Sequence, residues 1–118
     1  MTLSRQGKPS RKRSVYGHST NTATVDVYTC PANCVSEVSY VHIHNSTGNT
    51  SVTIEWYVAA DSYTHHFLEG KNLGTGEFIT FGDIELMLSS GDKIQITSSS
   101  AAHVDSVVTV TETFIPVG

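Results

Sequence analysis

The sequence predicts an all-β protein: an antiparallel β-sandwich, Ig-like or jelly-roll in type, preceded by an extended N-terminal arm. Three observations lead there. Ser, Thr and Val are abundant while Leu and Ala are scarce, and β-branched side chains suit a pleated surface better than a helix. Short runs of alternating apolar and polar residues recur along the chain, with turn residues between them. Charge is also segregated: Arg5, Lys8, Arg11, Lys12 and Arg13 hold five of the seven positive charges, and the first acid is Asp26.

Beyond Ser14 only Lys71 and Lys93 oppose eleven carboxylates, a formal balance of −9 against −4 for the whole chain. Such asymmetry marks a basic tail on an acidic body. Residues 1–22 place Gly, Pro, Ser and Gln among the charges and show no hydrophobic period. They are therefore expected to form an arm that is dispensable for folding and becomes ordered on an acidic partner. Arg5, Lys8, Arg11, Lys12 and Arg13 are its candidate partner-binding residues. Residues 23–118 are left as one sandwich domain, a small one with a modest core.

Strand signals follow in order. ATVDVYT (23–29) ends at Cys30-Pro-Ala-Asn, and VSEVSYVHIHN (35–45) ends at Ser46-Thr-Gly-Asn-Thr. SVTIEWYVAA (51–60) alternates cleanly, with Val52, Ile54, Trp56 and Val58 on one face and Thr53, Glu55 and Tyr57 on the other. The Thr-Gly-Asn turn predicts that the second and third runs pair as a hairpin. Tyr63–Leu68 reads as a short edge strand, Glu77–Phe81 and Ile84–Leu88 as two short strands split by Gly82-Asp83. Lys93–Ser98 and His103–Phe114 complete seven or eight strands, the number a sandwich needs.

Few residues propose chemistry. Cys30 and Cys34 flank Pro-Ala-Asn and admit three readings: free thiols at a turn, a strained local disulfide, or metal ligands. A reducing cytosol favours the first. His42 and His44 sit two apart on a predicted strand and so leave the same face; with no companion ligand in the hairpin they are candidate subunit contacts, and no metal site or cofactor is predicted. Tyr57 is a third candidate contact, while Trp56, in register with Val52 and Ile54, is read as core. Neither a nucleophile elbow nor a phosphate-cradling loop with a following helix is present, so no catalytic residue is assigned and the chain is not read as an enzyme. Asn45-Ser-Thr and Asn49-Thr-Ser match the glycosylation pattern but are read as turn residues.

No run approaches the roughly eighteen apolar residues of a membrane-spanning helix, and no apolar segment follows the basic N-terminus. Synthesis in a cytosol, without a membrane partner, is the expectation.

The runs Val27-Tyr-Thr-Cys-Pro-Ala-Asn, Val41-His-Ile-His-Asn, Val52-Thr-Ile-Glu-Trp, Leu88-Ser-Ser-Gly-Asp-Lys-Ile and Val108-Thr-Val-Thr-Glu are spread through residues 25–113, the stretch over which a likeness extends. They resemble a group of small β-sandwich virion proteins of tailed bacteriophages, frequent in marine and cyanobacterial phages. Cys30 stands where that group usually has an aliphatic residue, and the basic arm is longer than usual. The resemblance implies a non-enzymatic, multi-copy virion component made in the host cytoplasm: a head decoration or cement protein, or a neck or tail accessory. Its implied partners are capsid, portal or tail subunits and further copies of itself. Two other classes compete, a carbohydrate- or receptor-binding sandwich and a nucleic-acid binder. The acidic body and the absence of aromatics within the arm before Tyr16 argue against nucleic acid.

Overall fold

The computed structural model describes residues 9–115. Nine strands follow one another: β1 (Ser10–Ser19), β2 (Val25–Thr29), β3 (Cys34–Thr47), β4 (Thr50–Val58), β5 (Tyr63–Leu73), β6 (Phe78–Phe81), β7 (Leu86–Ser89), β8 (Lys93–Ser98) and β9 (His103–Phe114). One sheet has the order β1-β9-β3-β6, with β7 joining the same edge of β3; the other has the order β2-β8-β4-β5. Every pairing is antiparallel.

The pairing is nested. β1 pairs β9, β2 pairs β8, β3 pairs β6 and β7, and β4 pairs β5. This is one long hairpin whose tip is the 3-10 turn Ala59–Asp61, rolled so that successive strand pairs fall in alternate layers. Of the two sandwich types expected, the wiring is therefore the jelly roll. Rolling also brings β9 against β3 and β8 against β4, which completes each sheet.

Alternation then places the core. Val38, Val41 and Ile43 from β3 and Val104, Val108 and Val110 from β9 meet Val52 and Ile54 of β4 and Ile94 and Ile96 of β8, all at most 2% exposed. Trp56 and Val58 share the inward face of β4 as expected, but only partly buried, because they lie toward the hairpin tip. Trp56 packs against the core from its margin.

Three expectations change. The hairpin predicted between the second and third runs does not form, since β3 and β4 belong to opposite sheets. The turn at Gly48 (φ +73°) is a corner between layers. Asn45, fully buried, holds it: its Nδ2 donates to the carbonyls of Gly48 (2.6 Å), Leu73 (3.1 Å) and Gly74 (3.2 Å). The short edge strand expected at 63–68 continues to Leu73.

The largest change concerns the arm. Its boundary was expected at residue 22, yet Ser10–Ser19 is an edge strand paired along its whole length with Val104–Thr113. Gly17 permits this approach: a Cβ there would stand 2.9 Å from Ser106 Oγ and 3.0 Å from Val27 Cγ2. A chain beginning at Asn21 should consequently lose its cooperative thermal melt or become insoluble, whereas one beginning at Pro9 should melt as the full chain does; circular dichroism of the two truncations checks this.

Candidate assembly site

The cations of β1 have separate destinations, set by strand alternation. Lys12 points outward with Ser14, Tyr16 and His18, whereas Arg11 and Arg13 lie on the inward side with Val15 and Gly17. The inward pair meets Glu112 of β9, which is 3% exposed. Arg11 Nε donates to Glu112 Oε1 at 2.8 Å, and Arg13 donates through Nε to Oε1 (3.0 Å) and through a terminal nitrogen to Oε2 (2.9 Å). Tyr28, from β2 in the opposite layer, donates its hydroxyl hydrogen to Oε2 at 2.6 Å. Its oxygen is left to accept from Ser36 Oγ, also at 2.6 Å. Arg13 in addition stacks over the Tyr28 ring, 5.9 Å from its centroid.

The charges are tuned accordingly. The Arg13 hydrogen bonds, with help from Tyr28 and Arg11, outweigh burial and hold the Glu112 carboxyl down at about 2. Burial, then the bond to Glu112, pushes the Tyr28 phenol well above its usual range. Arg13 is raised by the same partner. A lone buried carboxylate would be strongly destabilising, so the two arginines are a condition of the fold. Arg11 and Arg13 are thus committed within the chain, and Lys12 is the cation of this strand left for a partner. Arg5 and Lys8 lie outside the described residues.

His42 and His44 do leave the same face, the outer surface of the first sheet. His42 stacks parallel to Tyr40 (6.3 Å between centroids), lies 5.4 Å from Phe78, and its Nδ1 sits 2.7 Å from Thr80 Oγ1. His44 stands in register between Asp105 and Phe78. Two further histidines join this face. His18 Nδ1 is 2.7 Å from Asp105 Oδ1, and the His18 and His103 rings meet edge-on at 5.0 Å. Tyr57 is elsewhere: it is on the outer face of the second sheet, under Lys93 at 5.7 Å, beside the Lys93–Asp26 ion pair (3.1 Å). Tyr57 and the histidines therefore cannot form one contact surface. Tyr16, Phe78 and Glu112 were not singled out from sequence; the outward parity of Tyr16 with Lys12 and His18 was the available signal.

Both cysteines are free. Cys30 is buried, 3.3 Å from Ser36 Oγ, and burial raises its thiol. Cys34 borders a half-open cleft of about 270 Å³ with Pro9, Arg11, Pro31 and Phe114. The Trp56 and His65 rings lie 5.2 Å apart, tilted by 32°, and Tyr63 meets His65 edge-on at 4.6 Å, a short aromatic row at the hairpin tip. Among the described residues, no cluster of three or more His, Cys, Asp or Glu is placed to hold a metal.

No protein-family model matches the chain, and no curated protein matches it in sequence. Solved structures share its fold. A chain from the disulfide-linked pili of Bacillus endospore appendages is 16% identical, with 93% of this chain and 92% of that one covered at a TM-score of 0.59. A chain from the acid-stable capsid of Helicobacter pylori bacteriophage KHP30 is 12% identical, with 93% and 95% covered at a TM-score of 0.55. A chain of infectious bursal disease virus, Gx strain, is 9% identical at a TM-score of 0.55; the match covers 91% of this chain but only 32% of the viral one. At such identities the likeness establishes the fold.

Because Glu112 titrates lower in the folded chain than in the unfolded one, its contribution is complete above about pH 5 and is lost as pH falls toward about 2. The displacement corresponds to roughly 2–3 kcal/mol once solvent around the partly exposed arginines is allowed for. Glu112→Gln should lower the melting temperature at pH 7 by about 10 °C, and the gap from the parent should narrow steadily as the melts are repeated down to about pH 3.

Proposed function

We propose that this chain is a non-enzymatic structural subunit of a tailed-phage virion, present in many copies as a decoration or cement protein or as a head–tail accessory. The observation that carries the reading is the single rolled hairpin, shared over nearly the full length of both chains with a protein of a phage capsid. That chain is about as long as this one, which favours an accessory subunit over a larger shell protein. The pilus chain, equally well covered, supports the broader idea of a small jelly roll built for repetition.

Charge supplies a docking mode. The chain beyond Ser14 is formally −9, whereas the sequence ahead of it carries Arg5 and Lys8 as well as Lys12, which faces away from Glu112. Coulombic attraction would draw this basic end to acidic surfaces of capsid, portal or tail subunits, and packing against symmetry copies would hold the sandwich in place. Nucleic acid and membrane have no part in the reading, and the assembled particle is its proposed location.

Immunogold labelling and mass spectrometry of purified particles should find the chain at multi-copy stoichiometry; finding it in infected cells but never in particles would overturn the role. Arg5→Glu combined with Lys8→Glu should leave the melt unchanged and weaken attachment to stripped particles, with the loss growing less distinct at high salt.

The aromatic row Trp56–His65–Tyr63 favours the alternative of a glycan- or receptor-binding module. On the structural-subunit reading, Trp56 fluorescence stays constant during titration with neutral and sialylated oligosaccharides. A saturable change would put the glycan-binding alternative first.

A further inference from the structure

The outer face of the first sheet is built like the centre of a protein interface. Three of the four most exposed large apolar side chains among the described residues stand on it: Tyr16 (83% exposed), Phe78 (61%) and Met87 (55%). Register places Tyr16 and Phe78 in adjoining cross-strand rows, with Met87 two rows beyond Tyr16, opposite Glu37. Tyr16 lies beside Val107, then His42, then Thr80; one row along come His18, Asp105, His44 and Phe78. These two rows hold a single carboxylate, Asp105, and it is bonded to His18. The other formal charges stand at the margin: Lys12 on β1, Glu37 on β3, Asp83 and Glu85 ahead of β7. An aromatic, charge-poor centre within a charged rim is how protein interfaces are composed.

We propose that this face docks against the same face of a second copy about a two-fold axis. The contact rests on the subunit role above for its purpose, while its chemistry stands on this surface alone. Charge selects the occupant. Two chains in which eleven carboxylates outnumber seven cations, a formal −4 each, repel across most of their surfaces. They can approach where the facing rows carry almost no charge. An axis lying in the contact plane, along the strands between β9 and β3, lays β1 of one copy over β6 and β7 of the other. Tyr16 then comes within a row of Phe78, and Lys12 comes to the Glu37, Asp83 and Glu85 rim, so that the marginal charges are of opposite sign. Each contact is made twice, as an isologous interface requires.

Size sets the strength. Four strands about 4.8 Å apart, each about ten residues long, cover roughly 600 Å² per copy. That reaches about the 1,200 Å² total at which specific interfaces begin. The pair is therefore weak in dilute solution and gains from other contacts in a multi-copy assembly.

Sedimentation equilibrium of the full chain, from about 5 to 500 μM, should show a monomer–dimer equilibrium with Kd in the micromolar range. Tyr16→Ser combined with Phe78→Ser should raise Kd by at least about tenfold with an unchanged melt, and Tyr57→Ser, on the opposite face, should leave it as it was. Should the double variant fold poorly, the rim supplies a second reading: Lys12→Glu should weaken the dimer, and adding Glu37→Lys should restore it. A parent chain that stays monomeric throughout, a dimer indifferent to both the aromatic and the rim variants, or one abolished by Tyr57→Ser would overturn the contact. None of those outcomes touches particle labelling, which tests the subunit role separately.

Discussion

Burial of the Glu112 carboxylate is the constraint on which the rest of the structure depends. At 3% exposure it has lost its water, and a lone charge in that position would be prohibitive. Its compensation comes from the first strands of the chain and from both layers. Arg11 and Arg13 reach it from β1, and Tyr28 reaches it from β2 in the opposite sheet, backed by Ser36. The first strand, the last strand and the facing layer are thereby fixed around one side chain. The β1–β9 pair is also the outermost of the nested pairs, joining residues about a hundred positions apart. Such a closure is favoured once the inner pairs have formed, because they shorten the loop that it must close. Glu112 rewards the last step of the roll.

Much of the fold was legible because alternation is a local property. The runs at 23–29, 35–45, 51–60, 93–98 and 103–114 became β2, β3, β4, β8 and β9 with ends shifted by only a few residues. The inward residues Val52, Ile54, Ile94 and Ile96 are core. What alternation does not encode is which layer a strand joins. Val41 and Ile43 point inward from one sheet, Val52 and Ile54 from the other, and the turn between them reads the same for a hairpin as for a corner. The corner is decided by Asn45, whose bonds run to Leu73 and Gly74, some thirty residues ahead. No local pattern carries that information.

β1 escaped notice for a related reason. Its inward positions hold Arg11, Arg13, Val15, Gly17 and Ser19, a set with one aliphatic residue in five. The usual apolar signature is replaced by partners that suit a buried acid and a close crossing, and both partners, Glu112 and Ser106, lie far along the chain. Polar composition therefore signalled disorder where it recorded a polar core. His42 and His44 were legible as a same-face pair, because two residues apart on a strand is a geometric statement. Their neighbours on that face, Tyr16 and His18, belong to the strand that had been read as an arm.

The segregated charge thus has two physical origins that sequence alone merges. Arg11 and Arg13 are positive because Glu112 is buried, and its single negative charge, met at 2.8–3.0 Å, offsets one of their two positive ones. Lys12, between them in sequence, projects from the other side of the same strand into solvent. A neighbour that approaches the outer face of β1 meets Lys12, while the two arginines are bonded to their own acid. The one strand therefore does two jobs by parity alone. Its inward positions close the roll, and its outward positions, Lys12, Tyr16 and His18, give the first sheet a face on which a second chain can rest without meeting the acidic charge carried elsewhere.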